Sequence, residues 1–214
     1  MTKLVTPRAP ALPLAEPMYT PEFKNRYSNI LRLYFNQLDA VNQGLLGTDG
    51  GQYLQLAHIS AISTSDQYAT GDDTPTQVTW GTVGSNSGFT ILSGTAIANA
   101  PGVYKMDYSL QLTNTDAAPH DVFVWFQANG AELTNSSRRF TIPATGCVTA
   151  YSSVQIELNA EDEIKVWWST DKAYSNTGPV DGVFMEALTS QVLPYVRPAN
   201  PSAVGNIVYV SRLP

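Results

Sequence analysis

Gly102-Val103-Tyr104-Lys105-Met106-Asp107-Tyr108-Ser109-Leu110-Gln111-Leu112 decides the fold of this chain. Tyr104, Met106, Tyr108, Leu110 and Leu112 are large and apolar; Lys105, Asp107, Ser109 and Gln111 alternate with them, on the face that Val103 begins. A period of two marks a strand with one face in a core. Three more stretches carry strand character: Val122-Phe123-Val124-Trp125-Phe126-Gln127-Ala128, Ser152-Ser153-Val154-Gln155-Ile156-Glu157-Leu158 and Glu163-Ile164-Lys165-Val166-Trp167-Trp168. Four long strands with turns between them make half of a β-sandwich. Asn129-Gly130, closing the second, is the strongest hairpin signal, since both residues tolerate positive φ in a type I′ turn.

Around this centre, strands are expected at 53–56, 58–63, 77–80, 89–92, 103–112, 122–128, 137–142, 148–158, 164–169 and 183–188. About ten strands with no helix between them mean a sandwich or jelly roll. Composition agrees. Apolar residues make up 43% of 214, enough for a full core, while charged residues are 14% against ~25% in ordinary globular chains. Ser, Thr, Asn, Gln and Gly fill the difference.

A net charge of −6 argues against general nucleic-acid binding, which needs a basic face. The charge is uneven: Lys3, Arg8, Lys24, Arg26 and Arg32 lie in the first 32 residues, and none follows from Leu33 to Tyr104. No apolar run approaches the ~18 residues of a membrane span, and the first residues lack the apolar core of a secretory signal. A single cysteine, Cys147, excludes an intramolecular disulfide framework and is expected to be a buried, inert thiol.

The N-terminal part differs in kind. Residues 1–20 carry Pro7, Pro10, Pro13 and Pro17 between small apolar residues and form an extended arm. Thr20 and Pro21 read as N-cap and first residue of a helix. Phe23, Tyr27, Ile30, Tyr34, Leu38 and Val41 recur at helical spacing, and Leu31, Leu33 and Phe35 widen the stripe. Gly44 and Gly47 are expected to end the helix. Such a stripe must bury against the β domain, copies of the chain or another surface. Residues 21–47 are therefore an anchor segment, 52–190 the β domain, and 191–214 an extended tail. Within the tail, 204–210 reads as a strand with no evident partner inside the domain, suited to pairing with a neighbour.

Residues 57–190 resemble the C1q/tumour-necrosis-factor-like jelly roll. The resemblance is carried by Gly102-Val103-Tyr104, by Asn129-Gly130, by Leu158-Asn159-Ala160-Glu161-Asp162-Glu163-Ile164-Lys165-Val166, and by Gly182-Val183-Phe184-Met185-Glu186-Ala187-Leu188 as the final strand. Glu161 stands where that family usually has Gly. The resemblance implies a homotrimer packed through apolar sheet faces, with Tyr104, Trp125, Trp167 and Trp168 expected at the trimer contact. Residues 4–60 resemble virion structural proteins of tailed bacteriophages, notably those of marine cyanobacteria. The carrying pieces are Pro7-Arg8-Ala9-Pro10-Ala11-Leu12-Pro13 and Asn29-Ile30-Leu31-Arg32-Leu33-Tyr34-Phe35-Asn36-Gln37-Leu38-Asp39. This implies an anchor to other virion proteins, with Pro7, Pro10, Pro13, Phe23, Tyr27, Ile30, Tyr34, Phe35 and Leu38 as the contact residues.

Catalytic chemistry finds little footing. His58 and His120 are the only histidines, one on a strand and one in a loop, and no nucleophile-base pattern surrounds either. No His/Cys spacing suits zinc, and neither a Walker loop nor a dinucleotide fingerprint occurs. Asp72-Asp73 and Glu161-Asp162-Glu163 are carboxylate clusters that read as solvated turns; a glycosidase pair or calcium ligands are the sharper alternatives. Trp167 and Trp168 are neighbours and must face opposite sides of their sheet, one in the core and one toward solvent, a subunit or a sugar. The expectation is a cofactor-free, non-enzymatic virion protein: a homotrimeric knob, capsid decoration or head fibre. The alternative is a tail fibre or adhesin that binds a host receptor or surface glycan.

Overall fold

The computed structural model describes residues 10–12, 20–46, 56–92, 94–175, 181–192, 196–211 and 213. The chain divides into two units, Met1–Gln55 and Leu56–Pro214. Residues 53–55 of the expected strand at 53–56, most of the arm including Pro7 and Pro13, Gly47 and the Gly50-Gly51 boundary lie outside the described residues.

The first unit contains one helix, α1 (Pro21–Leu46). Thr20 caps it: the Phe23 N–H donates to Thr20 Oγ1 at 3.2 Å, and the Lys24 N–H to the Thr20 carbonyl at 3.1 Å. Gly44 lies inside the helix rather than ending it, because a lone interior Gly costs only about 1 kcal/mol against Ala.

The second unit holds fourteen strands among the described residues. They are β1 (His58–Ser63), β2 (Gln67–Tyr68), β3 (Thr76–Gln77), β4 (Thr82–Ser87), β5 (Phe89–Leu92), β6 (Thr95–Ala98) and β7 (Gly102–Asn114). Then follow β8 (His120–Ala128), β9 (Ala131–Glu132), β10 (Arg138–Ile142), β11 (Cys147–Leu158), β12 (Glu163–Thr170), β13 (Val183–Met185) and β14 (Ala203–Ser211). One sheet runs β4-β1-β14-β7-β11, with β13 and β2 beside the end of β7; the other runs β5-β6-β12-β8-β10, with β3 on β12 and β9 on β8. Taking β1, β6, β7, β8, β10, β11, β12 and β14 as strands one to eight, the pairings are 1-8-3-6 and 2-7-4-5. Every ladder between named strands is antiparallel. That is a jelly roll, two interlocked Greek keys closed as a sandwich.

The core follows from strand parity. Tyr104, Met106, Tyr108, Leu110 and Leu112 of β7 are all 1% exposed or less and face Val122, Val124, Phe126, Val166 and Trp168 of the other sheet in one cluster. Asn129 (φ 51°) and Gly130 (φ 78°) make the expected tight turn. Cys147, by contrast, is exposed. It opens β11 in the outward phase it shares with Thr149 and Tyr151, so parity and not residue type sets its place.

The C-terminal segment is not an extended tail awaiting a neighbour. Strand β14 lies at the centre of its sheet, between β7 and β1, with Ala203 opposite Leu110 and Ile207 opposite Met106. Strands β13 and β14 are two halves of one sheet position along β7. Gln111 joins them: its carbonyl accepts the Glu186 N–H at 2.9 Å, and its own N–H donates to the Ser202 carbonyl at 2.9 Å. Between the halves the chain makes an excursion closed by the bridges Leu188–Asn200 and Gln191–Arg197. Pro198 and Pro201 are confined to the excursion. A central strand needs its N–H groups on both sides, and residues 202–211 supply them without a proline.

Candidate functional site

The expected contact residues fall in three different places. On α1, no residue from 21 to 43 is buried. Tyr27, Leu31, Tyr34, Leu38 and Val41 follow a four-three-four-three spacing, the seam of a heptad. Leu31, Tyr34, Leu38 and Val41 are half-buried along the helix itself, as are Phe23 and Ile30 on its flank. Leu33 and Phe35 lie off the seam, 60% and 56% exposed. Arg26, Arg32 and Asp39 also lie off it, so no charge stands in the seam from Tyr27 onward. Of the arm, Pro10 is half-buried and Leu12 is 46% exposed.

Tyr104 and Trp168 are not surface residues. Both are fully buried in the protomer's own core, and the Tyr104 hydroxyl donates to the Ala100 carbonyl at 2.8 Å. A side chain enclosed on every side has no area left for a subunit contact, so the expectation of trimer packing fails for these two. Trp125 and Trp167 do lie on the exterior. They stand directly opposite each other across β8 and β12, and the Trp167 indole donates to Gln127 Oε1 at 3.0 Å. Of the Trp167-Trp168 pair, Trp168 is the core member.

Beside Trp125 the outer face of the second sheet forms an open cleft of about 440 Å³, lined by Phe123, Trp125, Glu132, Leu133, Thr134, Asn135 and Ser137. One wall is the β8 surface, with Phe123 41% exposed. The other is the chain between β9 and β10, and it is pinned. Buried Ser136 accepts the Phe126 N–H at 3.1 Å and donates back to the Phe126 carbonyl at 3.3 Å, while the Leu133 N–H reaches the same carbonyl at 2.9 Å. The Arg138 guanidinium donates to the carbonyls of Asn135 and Ser137 at 2.9 and 2.8 Å. Glu132 opposes Gln127 on β9. Sequence reading missed this cleft. Its residues share no motif, and only the folding of 131–137 back over β8 brings them together.

The histidines sit elsewhere. His120 lies between two carboxylates, 3.1 Å from both Asp116 and Asp171. The hydrogen bond from His120, helped by the Ala118 N–H, holds the Asp116 carboxyl below the usual carboxylate range. His58 contacts Ser85 Oγ at 2.6 Å and the Leu56 carbonyl at 2.9 Å. The pair spans β1 and β4, and residues 82–86 of β4 are all exposed. The His58 imidazole is oriented by a backbone carbonyl and not by the carboxylate that completes a hydrolytic triad. The acidic runs serve turns: Asp162 accepts the Asn159 N–H at 2.7 Å and the Asn129 side-chain amide at 2.8 Å, and Glu163 pairs with Lys165 at 2.9 Å. Among the described residues no three His, Cys, Asp or Glu side chains converge to hold a metal.

No protein-family model matches the chain, and no curated protein matches it. Among solved structures it is similar to the globular domain of zebrafish complement 1qA, at 15% identity over 74% of this chain and 100% of that one, with a TM-score of 0.45. It is also similar to murine APRIL in two crystal structures, at pH 5.0 and pH 8.5. Each is 12% identical over 73% of this chain and 100% of that one, with TM-scores of 0.44 and 0.42. The jelly-roll assignment rests on the chain's own strand order.

Proposed function

We propose that this chain is a non-enzymatic structural protein of a tailed-phage virion, in which a homotrimeric jelly-roll knob is fixed to the particle by the N-terminal arm and α1. The observation that carries the reading is the seam Tyr27, Leu31, Tyr34, Leu38 and Val41, apolar and not buried, on a helix about 39 Å long. Burying one such side chain is worth about 1.5–3 kcal/mol. Four of the five are already half-buried, so covering the seam adds roughly half of the full value, about 4–8 kcal/mol per chain before the cost of association, a contribution that several copies or a host surface would share. The resemblance of residues 4–60 to phage virion proteins supports the particle as that surface. No internal repeat of the kind long tail fibres carry occurs in these residues, and on that ground we favour a capsid-decoration or head-fibre place.

The test is incorporation. Particles assembled with a chain lacking residues 1–45 are expected to carry no knob, while the full chain is present at dozens to hundreds of copies. Full occupancy by the truncated chain sinks the anchoring role. Mass photometry of the purified full chain is expected to give a trimer, and a clean monomer at micromolar concentration counts against the assembly.

A further inference from the structure

We propose that the cleft on the outer face of the second sheet is a saccharide site that takes one or two pyranose rings. It does not depend on the particle-anchoring reading. A cleft of about 440 Å³ is at the small end of ligand sites, which run from about 300 to 1,000 Å³. Its walls divide by chemistry. Phe123 and Trp125 supply aromatic surface on β8. Glu132, Thr134, Asn135 and Ser137 supply hydroxyl, amide and carboxylate groups from the facing wall. Among the described residues none of those four side chains has a hydrogen-bond partner in the protein, so their full capacity is open to a ligand. A pyranose matches this division, with a C–H face that lies on an aromatic ring and a belt of hydroxyls around its rim. A purely apolar ligand would strand the polar wall, and a charged peptide would find one carboxylate and no basic lining residue.

The wall is preformed rather than adaptable. The Ser136 hydroxyl is buried and doubly bonded to Phe126, and Arg138 fixes the carbonyls on either side of it. Asn135 is held at φ 65°, a left-handed conformation that turns the wall at that point. Such order lowers the entropy lost on binding. The reading also gives exterior Trp125 a role that a subunit contact need not supply.

The full chain is titrated with the methyl glycosides of glucose, galactose, mannose, N-acetylglucosamine and glucuronic acid, read by tryptophan fluorescence and by saturation-transfer NMR. At least one is expected to bind saturably with a millimolar Kd, which corresponds to about 4 kcal/mol. Phe123→Ala and Glu132→Gln alter exposed side chains and leave folding intact; each is expected to weaken binding about tenfold. Trp125→Phe keeps the aromatic surface and is expected to retain it. Absence of saturable binding by all five sugars overturns the proposal. So does binding that Phe123→Ala and Glu132→Gln leave unchanged, or a Phe123→Ala variant that changes oligomeric mass while sugar binding stays the same.

Discussion

Glu161→Gly is expected to stabilise the β domain. Glu161 sits in the turn from β11 to β12 at φ 70°, a left-handed conformation that crowds any Cβ. The turn cannot relax, because its backbone is clamped from both sides. The Glu161 N–H donates to the Ala98 carbonyl at 2.7 Å, the Ala98 N–H to the Asp162 carbonyl at 3.0 Å, and the Asn159 N–H to the Asp162 carboxylate at 2.7 Å. The Glu161 side chain itself is exposed. Removing the Cβ recovers about 1–2 kcal/mol of left-handed strain. The added freedom of Gly in the unfolded chain takes back about 0.5–1 kcal/mol. The net gain is about 0.5–1 kcal/mol, or roughly 1–4 °C in Tm for a unit of this size. Thermal unfolding followed by circular dichroism, at one fixed protein concentration, reads the difference. Glu161→Ala is the control: it removes the same side chain but keeps the Cβ, and should stay within about 0.5 kcal/mol of the parent. Equal Tm gains in the Gly and Ala variants would show that the side chain and not the backbone was responsible. A lower Tm in the Gly variant would refute the strain.

Other outcomes follow from single contacts. Burial, opposed by the Ser152 hydroxyl opposite and by the Arg138 charge, pushes the Tyr108 phenol up to about 12, and its hydroxyl meets no partner in hydrogen-bonding geometry. The folded state resists ionisation that the unfolded chain allows from about pH 10. Stability should therefore fall by about 1–2 kcal/mol between pH 10 and 12, and Tyr108→Phe should flatten that fall in pH-resolved urea melts. Asp116 works at the other end. Its lowered pKa adds stability above the usual carboxylate range that is lost as pH drops through the folded value, so Asp116→Asn should lower Tm at pH 6 more than at pH 2. A Cβ on Gly205 would come within 2.7 Å of the Trp80 ring, so Gly205→Ala should cost about 1–3 kcal/mol and perturb the near-ultraviolet tryptophan signal. Leu38→Lys places a charge in the α1 seam and is expected to lower the oligomeric mass read by mass photometry; an unchanged mass removes the seam from assembly.

The sequence by itself determined the helix, the long strands and the turn at Asn129-Gly130, because those depend on local periodicity and on φ preferences that neighbours do not alter. It also determined that Trp167 and Trp168 face opposite ways, since the pleat allows nothing else. Short edge pieces such as β4, with Gly84 among polar residues, carry no period to read and were visible only once paired. What tertiary structure alone decided is placement. Strand β14 reads as a tail because its partner β7 lies about a hundred residues earlier in the chain, and no local pattern encodes such a pairing. Cys147 reads as core until the register of β11 turns it outward. Tyr104 and Trp168 read as contact residues until the two sheets close on each other and bury both. The cleft at Phe123 and Glu132 exists only because one buried serine holds a short loop against the neighbouring strand. Periodicity says that a face is apolar; which surface covers it, and what that covering leaves open, is settled only when distant strands meet.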